Sequence, residues 1–199
     1  LFQIKALVSF GDVAAGDLGG YIEKEENLSY DNNAWVYDDA QVFGNALVCG
    51  NAQVCGNAQV FGNALVSGDA WVSGDARVFG NAWVYDDARV CDDARVYGNA
   101  QIFGDTQVCG DAQIFGDAQI FGDADYICFK GFGSENRNTT IFRTKNGDVY
   151  VCCGCFKGNL KEFSEKVKET HGSSKYAKEY LACVEVAKIH FEIGEENDK

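Results

Sequence analysis

The sequence contains no proline and no methionine, and its only two histidines are His171 and His190. Without proline, the chain must turn by means of glycine, Asn and Asp, whose backbones reach conformations that β-branched residues resist. The 23 glycines fit this requirement. The chain also lacks an apolar run long enough to span a membrane, and no segment has the pattern of a signal peptide.

Cysteine usage gives no sign of a disulfide framework. The nine cysteines are an odd number, and Cys49, Cys55, Cys91 and Cys109 share one slot of a repeat with Phe, Tyr and Ser. Interchange with Phe indicates a small apolar filler rather than a paired thiol. We therefore expect a reduced, cytoplasmic protein.

Negative charge is concentrated in the middle of the chain. The net charge is −13, and residues 34–125 contribute −10 of it with three Arg and thirteen Asp. Residues 1–33 contribute −4, and residues 126–199 contribute +1. This balance disfavours nucleic acid and anionic membranes as direct ligands of the repeats, so we expect neither as a partner.

A six-residue unit, Ala-x-Val-x-Gly-Asx, repeats from Ala34 to Ala124. Val or Ile recurs at every sixth position from Val36 to Ile120, fifteen times without a break, and only Thr106 interrupts the Ala column. Period-two geometry points Ala and Val inward and the residues beside them outward. Six residues cannot hold a strand and a crossover helix, so each unit is predicted to be a short strand and a bend.

An aliphatic residue followed four places later by a small one, as in Val36 and Ala40, resembles the hexapeptide-repeat superfamily. The resemblance implies a mainly β fold, a left-handed parallel β-helix with three strands per 18-residue coil. The segments Gly16–Gly20 and Cys155–Gly158 are similar to those of uncharacterised bacterial and phage hexapeptide-repeat proteins. Some of those proteins are labelled transferases by fold analogy alone.

Sorting the outward residues by an 18-residue period supports three distinct faces. One series is aromatic throughout, and we call it the aromatic ladder: Phe43, Phe61, Phe79, Tyr97 and Phe115. The corner residues sort into one Asn-rich column and two Asp-rich columns. The Asp-rich columns supply the predicted acidic surface: Asp69, Asp75, Asp87, Asp93, Asp105, Asp111 and Asp123.

Three regions are predicted. Residues 1–33 form an N-terminal cap and a first irregular coil, in which Ile22 and Leu28 fall in the Ala column; residues 34–125 form the β-helix. Residues 126–199 form a small α+β domain that covers the last coil. In it we expect strands at 139–143 and 148–152, and helices at 160–170 and 174–191.

The sequence gives little support for enzymatic activity or for a metal site. The resemblance implies a coil His as general base in acyltransferases, and several coil His as ligands in γ-class carbonic anhydrases. His171 and His190 lie outside the repeats, so no catalytic residue and no cofactor are predicted, and an acyltransferase is a disfavoured alternative. A zinc site from Cys152, Cys153, Cys155 and His171 is the weak metal candidate, because C-C-x-C lacks paired C-x-x-C spacing.

The outward residues therefore suggest a non-catalytic binding or scaffold protein. The aromatic ladder is either simple stacking between coils or, as we prefer, the interface of a dimer or trimer. The Asp columns serve solubility, hold divalent cations, or bind a basic protein. In the sharpest form of that last hypothesis, the acidic coils mimic nucleic acid and inhibit a host nucleic-acid-binding or defence enzyme, as a phage protein would.

Overall fold

The computed structural model describes residues 1–193, which belong to two compact units. The first unit comprises Leu1–Gly122, and the second begins at Asp123. The first is a β-solenoid, and the second is a small antiparallel sheet with two helices.

The repeats form fifteen two-residue strands, β3 to β17, in three parallel sheets that we call faces 1, 2 and 3. Face 1 contains β3 (Trp35–Val36), β6 (Gln53–Val54), β9 (Trp71–Val72), β12 (Arg89–Val90) and β15 (Gln107–Val108). Face 2 contains β4 (Gln41–Val42), β7 (Gln59–Val60), β10 (Arg77–Val78), β13 (Arg95–Val96) and β16 (Gln113–Ile114). Face 3 contains β5 (Leu47–Val48), β8 (Leu65–Val66), β11 (Trp83–Val84), β14 (Gln101–Ile102) and β17 (Gln119–Ile120). Paired residues are 18 positions apart, as in Arg77 and Arg95, which confirms three strands per 18-residue coil.

The interior of the solenoid consists of the Val and Ala columns. Every Val or Ile from Val36 to Ile120 is fully buried, and so is Thr106, which replaces Ala in its column. A buried hydroxyl needs a hydrogen-bond partner, and Thr106 Oγ1 donates to the carbonyl oxygen of Phe103 at 2.7 Å. The one polar exception in the column is thereby satisfied locally.

The Gly-Asx pairs turn the chain at each corner. The glycines of this slot from Gly44 to Gly116 have φ between +62° and +76°. A Cβ on Gly98 would also lie 2.8 Å from the backbone nitrogen of Gly116 in the next coil. Both the backbone conformation and the close approach of coils therefore favour glycine.

Three corners carry Asp instead of Gly. Asp38, Asp86 and Asp92 adopt φ of +51°, +60° and +59°. Each carboxylate accepts the backbone N–H of the glycine 18 positions later, at 3.1, 3.4 and 2.9 Å respectively. Asp tolerates the left-handed region better than most residues, and its side chain adds a bond between coils.

The first coil follows a different register from the later ones. Strand β1 (Phe2–Lys5) pairs antiparallel with β2 (Leu18–Ile22), which pairs parallel with β4. Ile22 lies opposite Val42 and Leu28 opposite Val48, 20 positions later, so our prediction that they occupy the Ala column is wrong. The 18-residue spacing returns at Asn33, which bonds to Asn51, so two additional residues lie between Leu28 and Asn33.

Buried groups in the N-terminal segment complete this first coil. Asn27, in a short 3₁₀ helix (Glu25–Asn27), is fully buried. Its Nδ2 donates to the carbonyls of Gly44 and Ala46, and its Oδ1 accepts from the backbone of Glu23 and Lys24. Trp35 points outward from the coil, but the ring of Phe10 packs edge-on against it at 5.4 Å and leaves it 6% exposed.

The second unit begins with a 3₁₀ turn (Asp123–Asp125) and is otherwise α+β. Its sheet contains β18 (Tyr126–Phe132), β19 (Arg137–Arg143), β20 (Val149–Cys153) and β21 (Phe156–Asn159), in that order. Helices α1 (Leu160–His171) and α2 (Lys175–His190) pack on it, and Asn159 caps α1 by accepting the N–H of Glu162 at 2.9 Å. The predicted strands and helices are confirmed. Neither helix of the described part is long and apolar enough to cross a membrane.

Candidate binding face

The acidic residues of the solenoid border one face. Face 1 lies between the corner that follows it and the corner that follows face 3, because the chain visits the three faces in order. These two corners hold ten of the eleven Asp residues between 34 and 122; the exception is Asp117. The set is Asp38, Asp39, Asp75, Asp92, Asp93 and Asp111 on one side of face 1, and Asp69, Asp86, Asp87 and Asp105 on the other.

The predicted acidic residues thus separate into two columns. Asp69, Asp87 and Asp105 are exposed and follow one corner through consecutive coils, while Asp75, Asp93 and Asp111 follow the other. Asp123 belongs to the second unit. Coils are about 4.8 Å apart, so like charges repeat at that spacing. Ionised carboxylates cannot donate hydrogen bonds to one another, which leaves these columns repulsive within themselves.

The third corner shows what Asn does in the same position. Side-chain amides there form a continuous chain of hydrogen bonds from Asn45 through Asn63, Asn81 and Asn99 to Asp117, at 2.9 to 3.2 Å. Asn therefore stabilises the stacking of coils at the neutral corner. At the two corners that border face 1, such bonds occur only in the first coils, from Asn33 through Asn51 to Asp69 and from Asn57 to Asp75. The later coils, where Asp follows Asp, lack an amide that could continue them.

A cavity of about 320 Å³ lies on face 1 beside the N-terminal segment. Asp12 and Asp69 line it together with the rings of Tyr37 and Trp71, and Trp71 is 42% exposed. Burial, followed by the nearby carboxylate of Asp12, raises the pKa of Tyr37. Carboxylates and aromatic rings in one recess suit a cationic side chain.

Two thiols and a carboxylate meet near the far end of the same face. The Sγ atoms of Cys91 and Cys109 and a carboxylate oxygen of Asp92 all lie within 4.8 Å of one another. Burial is the first cause that raises the pKa of Cys91 to about 12, and the hydrogen bond with Cys109 is the second. Arg89 opposes this shift. From the sequence we interpreted both cysteines as apolar fillers, although their 18-residue separation already placed them in adjacent coils.

The aromatic ladder forms as predicted, on face 2. Phe43, Phe61, Phe79 and Tyr97 stack with successive centroids 4.9 Å apart and planes parallel within 1°. Each ring, including Phe115, is half-buried, since its neighbours cover much of its surface. Face 3 carries a shorter aromatic column that we did not predict: Tyr85, Phe103 and Phe121.

Four segments of the solenoid, residues 40–56, 58–74, 72–86 and 88–104, match a family model described as the YdcK beta solenoid repeat. The chain is a β-solenoid repeat protein. No curated protein matches it significantly. The match concerns the repeat itself, so similarity to particular bacterial or phage proteins stays a prediction.

The weak zinc candidate of this β-solenoid repeat protein lies in the second unit and is only partly assembled. One cavity of about 440 Å³ is lined by Cys153, Cys155 and His171. Cys152 directly precedes Cys153 on β20, so its side chain points to the other side of the sheet. Among residues 1–193, the one group of three metal-ligating side chains with converging ligand atoms is the Cys91 group. Both histidines lie on the helices of this unit, at the last position of α1 and of α2.

Proposed function

We propose that this protein is a non-catalytic, cytoplasmic binding protein whose partner is a basic protein that docks on face 1. The placement of ten of eleven Asp residues at the two corners bordering that face carries the proposal. Because the neutral corner has an amide chain through all of its coils, the Asp-rich coils of the other two corners have given up stability, which selection for binding explains.

The cavity on face 1 supplies a specific anchor within this diffuse charge. A Lys or Arg side chain of the partner would place its charged group over the ring of Trp71, in the cavity that Asp12 and Asp69 also line. Such a cation–π contact contributes about 0.5 to 2 kcal/mol, depending on how far it is desolvated. The surrounding Asp columns steer a basic partner toward the face and make the association rate sensitive to salt.

The experiment has two stages. The full chain first captures proteins from bacterial lysate at low salt, and mass spectrometry identifies those eluted by high salt. Each captured protein is then purified and its affinity measured for the wild type and for the triple variant Asp69→Asn, Asp87→Asn, Asp105→Asn. We expect a basic partner whose affinity falls at least about tenfold in the triple variant, since several ion pairs are lost together.

A charge-matched control separates the face from net charge. The variant Glu25→Gln, Glu26→Gln, Asp117→Asn also removes three exposed carboxylates from the first unit, but all three lie at the corner that follows face 2, away from face 1. The control should bind like the wild type, and Trp71→Ala should weaken binding without altering net charge. Equal losses in the triple variant and its control, or no loss in either, would overturn the proposal.

Nucleic-acid mimicry is a second candidate that the two columns favour. Each column repeats a negative charge at about 4.8 Å, compared with 3.4 Å along one strand of duplex DNA. In this version the captured partner is a nucleic-acid-binding enzyme, and duplex DNA competes with the solenoid for it. A basic partner that DNA does not displace would contradict mimicry while leaving the binding function intact.

An acyltransferase activity, the disfavoured alternative, can be tested directly. The solenoid holds no His to act as general base, since His171 and His190 belong to α1 and α2. We therefore expect no transfer of an acetyl group from acetyl-CoA to amine or hydroxyl acceptors. Acetyl-CoA-dependent product formation by the purified chain would overturn the non-catalytic part of the proposal.

A further inference from the structure

Cys91 and Cys109 occupy the same outward slot in consecutive coils, beside the corner that follows face 1. Backbone pairing fixes their separation, because Arg89 and Val90 of β12 lie opposite Gln107 and Val108 of β15, and Cys91 N–H donates to the carbonyl of Val108 at 2.9 Å. Asp92 follows Cys91 directly. Its Oδ2 accepts the N–H of Gly110 at 2.9 Å, which holds the carboxylate against the next coil.

From this arrangement we propose that Cys91, Cys109 and Asp92 bind a thiophilic divalent cation, with Zn²⁺ as the best fit. Two thiolates and one carboxylate are three ligands that zinc accepts in a tetrahedral site. Zinc–sulfur bonds of about 2.3 Å and zinc–oxygen bonds of about 2.0 to 2.2 Å place such ligand atoms about 3.5 to 3.8 Å apart. The ligand atoms here already lie within 4.8 Å of one another.

The surroundings are consistent with an open rather than a closed site. Both cysteines are half-buried and Asp92 is exposed, so the fourth coordination position of a bound ion would be open to water. The bond from Gly110 to Asp92 orients a ligand in the way that outer-shell contacts orient metal ligands generally. Each thiol that binds zinc releases its proton to solvent. Although Asp92 also borders face 1, this proposal does not require the basic partner proposed above.

The other repeat cysteines show what distinguishes this pair. Cys55 lies in the same column, but its neighbours one coil away are Tyr37 and Ser73. Cys49 lies in another column beside Ser67. Neither therefore has a thiol in an adjacent coil, and Ser at positions 67 and 73 shows that the slot accepts Ser without loss of the fold.

The test uses Co²⁺ as a spectroscopic substitute for Zn²⁺ on the full chain, reduced and freed of metal. Thiolate–cobalt absorption should appear with the wild type and should be displaced by Zn²⁺. Cys91→Ser and Cys109→Ser should each weaken binding more than about tenfold, and Asp92→Asn should shift the absorption and weaken binding about tenfold. Asn keeps both the left-handed backbone and the oxygen that Gly110 requires.

Cys55→Ser is the matched control, because it removes a thiol from the same column but not from the site. It should leave the cobalt spectrum unchanged, and far-UV circular dichroism should show that every variant keeps the fold. Thiolate–cobalt absorption that survives in the double variant Cys91→Ser, Cys109→Ser would overturn the proposal. Equal loss in the Cys55→Ser control would do the same.

Discussion

The side-chain amide of Asn81 donates to Oδ1 of Asn99 at 3.0 Å, and Asn63 donates to Asn81 in the same sense at 2.9 Å. Each Asn in this corner is thus an acceptor toward the previous coil and a donor toward the next one. The direction is uniform, so the column ends at a residue that needs only to accept, Asp117. A single Asp elsewhere in the column would interrupt the chain.

We expect Asn81→Asp to destabilise the solenoid by about 0.5 to 1.5 kcal/mol, because the bond to Asn99 is lost while that from Asn63 remains. Asp87→Asn, in the same coil but in an acidic column, should act in the opposite direction. The new amide can donate toward Asp105, and one carboxylate is removed from a row of like charges. Urea midpoints of the two variants measure the difference, and shifts of the same sign would contradict this account.

The destabilisation caused by replacing a corner glycine with alanine should depend on how closely the backbone of the next coil approaches it. Gly98 has φ +75° and a neighbouring backbone 2.8 Å from the site of a Cβ, whereas Gly116 has φ +66° and no atom within 4 Å. Gly116→Ala should therefore incur only the left-handed backbone cost of about 1 kcal/mol, and Gly98→Ala should cost clearly more. Thermal unfolding of both variants tests the order, which an equal effect would contradict.

Self-association along the aromatic ladder stays a prediction. Replacing Phe61 and Phe79 by Ser should reduce the mass in solution from that of a dimer or trimer to that of one chain, as light scattering would measure. The control is Phe103→Ser on face 3, which also removes a half-buried, stacked ring. A wild-type mass equal to one chain, or a mass unchanged by the double variant, would exclude this face as the interface.

The buried thiols of the second unit should resist alkylation at moderate pH. Burial is the main cause that raises the pKa of Cys152 and of Cys183 to about 11. At pH 8 only about one molecule in a thousand then carries the thiolate, which is the reactive form. Brief iodoacetamide pulses followed by peptide mapping should modify the exposed Cys155 first and these two only as the pH approaches 11.

The raised pKa values of Cys152 and Cys183 also predict that the folded state becomes less stable at alkaline pH. Since the folded pKa values lie above the usual thiol value of about 8.5, the folded state holds these protons more tightly than the unfolded state does. The stabilisation is complete below about pH 8 and is lost as pH rises through 11. Rapid modification of Cys183 at pH 8 in the folded protein would contradict both expectations.

Periodicity made most of the solenoid predictable. The Val and Ala columns alone indicated which residues are buried, and the 18-residue sorting indicated the three faces, because register in a parallel stack repeats without drift. The start of α1 at Asn159 was also predictable, because a capping Asn bonds to a backbone N–H only three residues later, which is a local interaction.

Other features of the fold depend on contacts that the sequence period does not predict. Ile22 and Leu28 keep the six-residue period between themselves, yet two additional residues after Leu28 shift both into the Val column. The fully buried Asn27 bonds to residues 17 to 19 positions away and has no counterpart in the repeat. The Cys91 pair was within reach of the 18-residue sorting, but interchange with Phe favoured the apolar interpretation.

Because the coils pair in register, the fold does not constrain the number of coils or the length of the solenoid. Each coil contacts its neighbours through identical columns, so deletion of residues 59–76 would join Ala58 to Arg77 and leave every remaining column aligned. The axial distance between any two side chains is then a whole number of steps of about 4.8 Å. Evolution and protein engineering can therefore change the span of face 1 by unequal recombination between repeats, while the chemistry of each retained position stays the same.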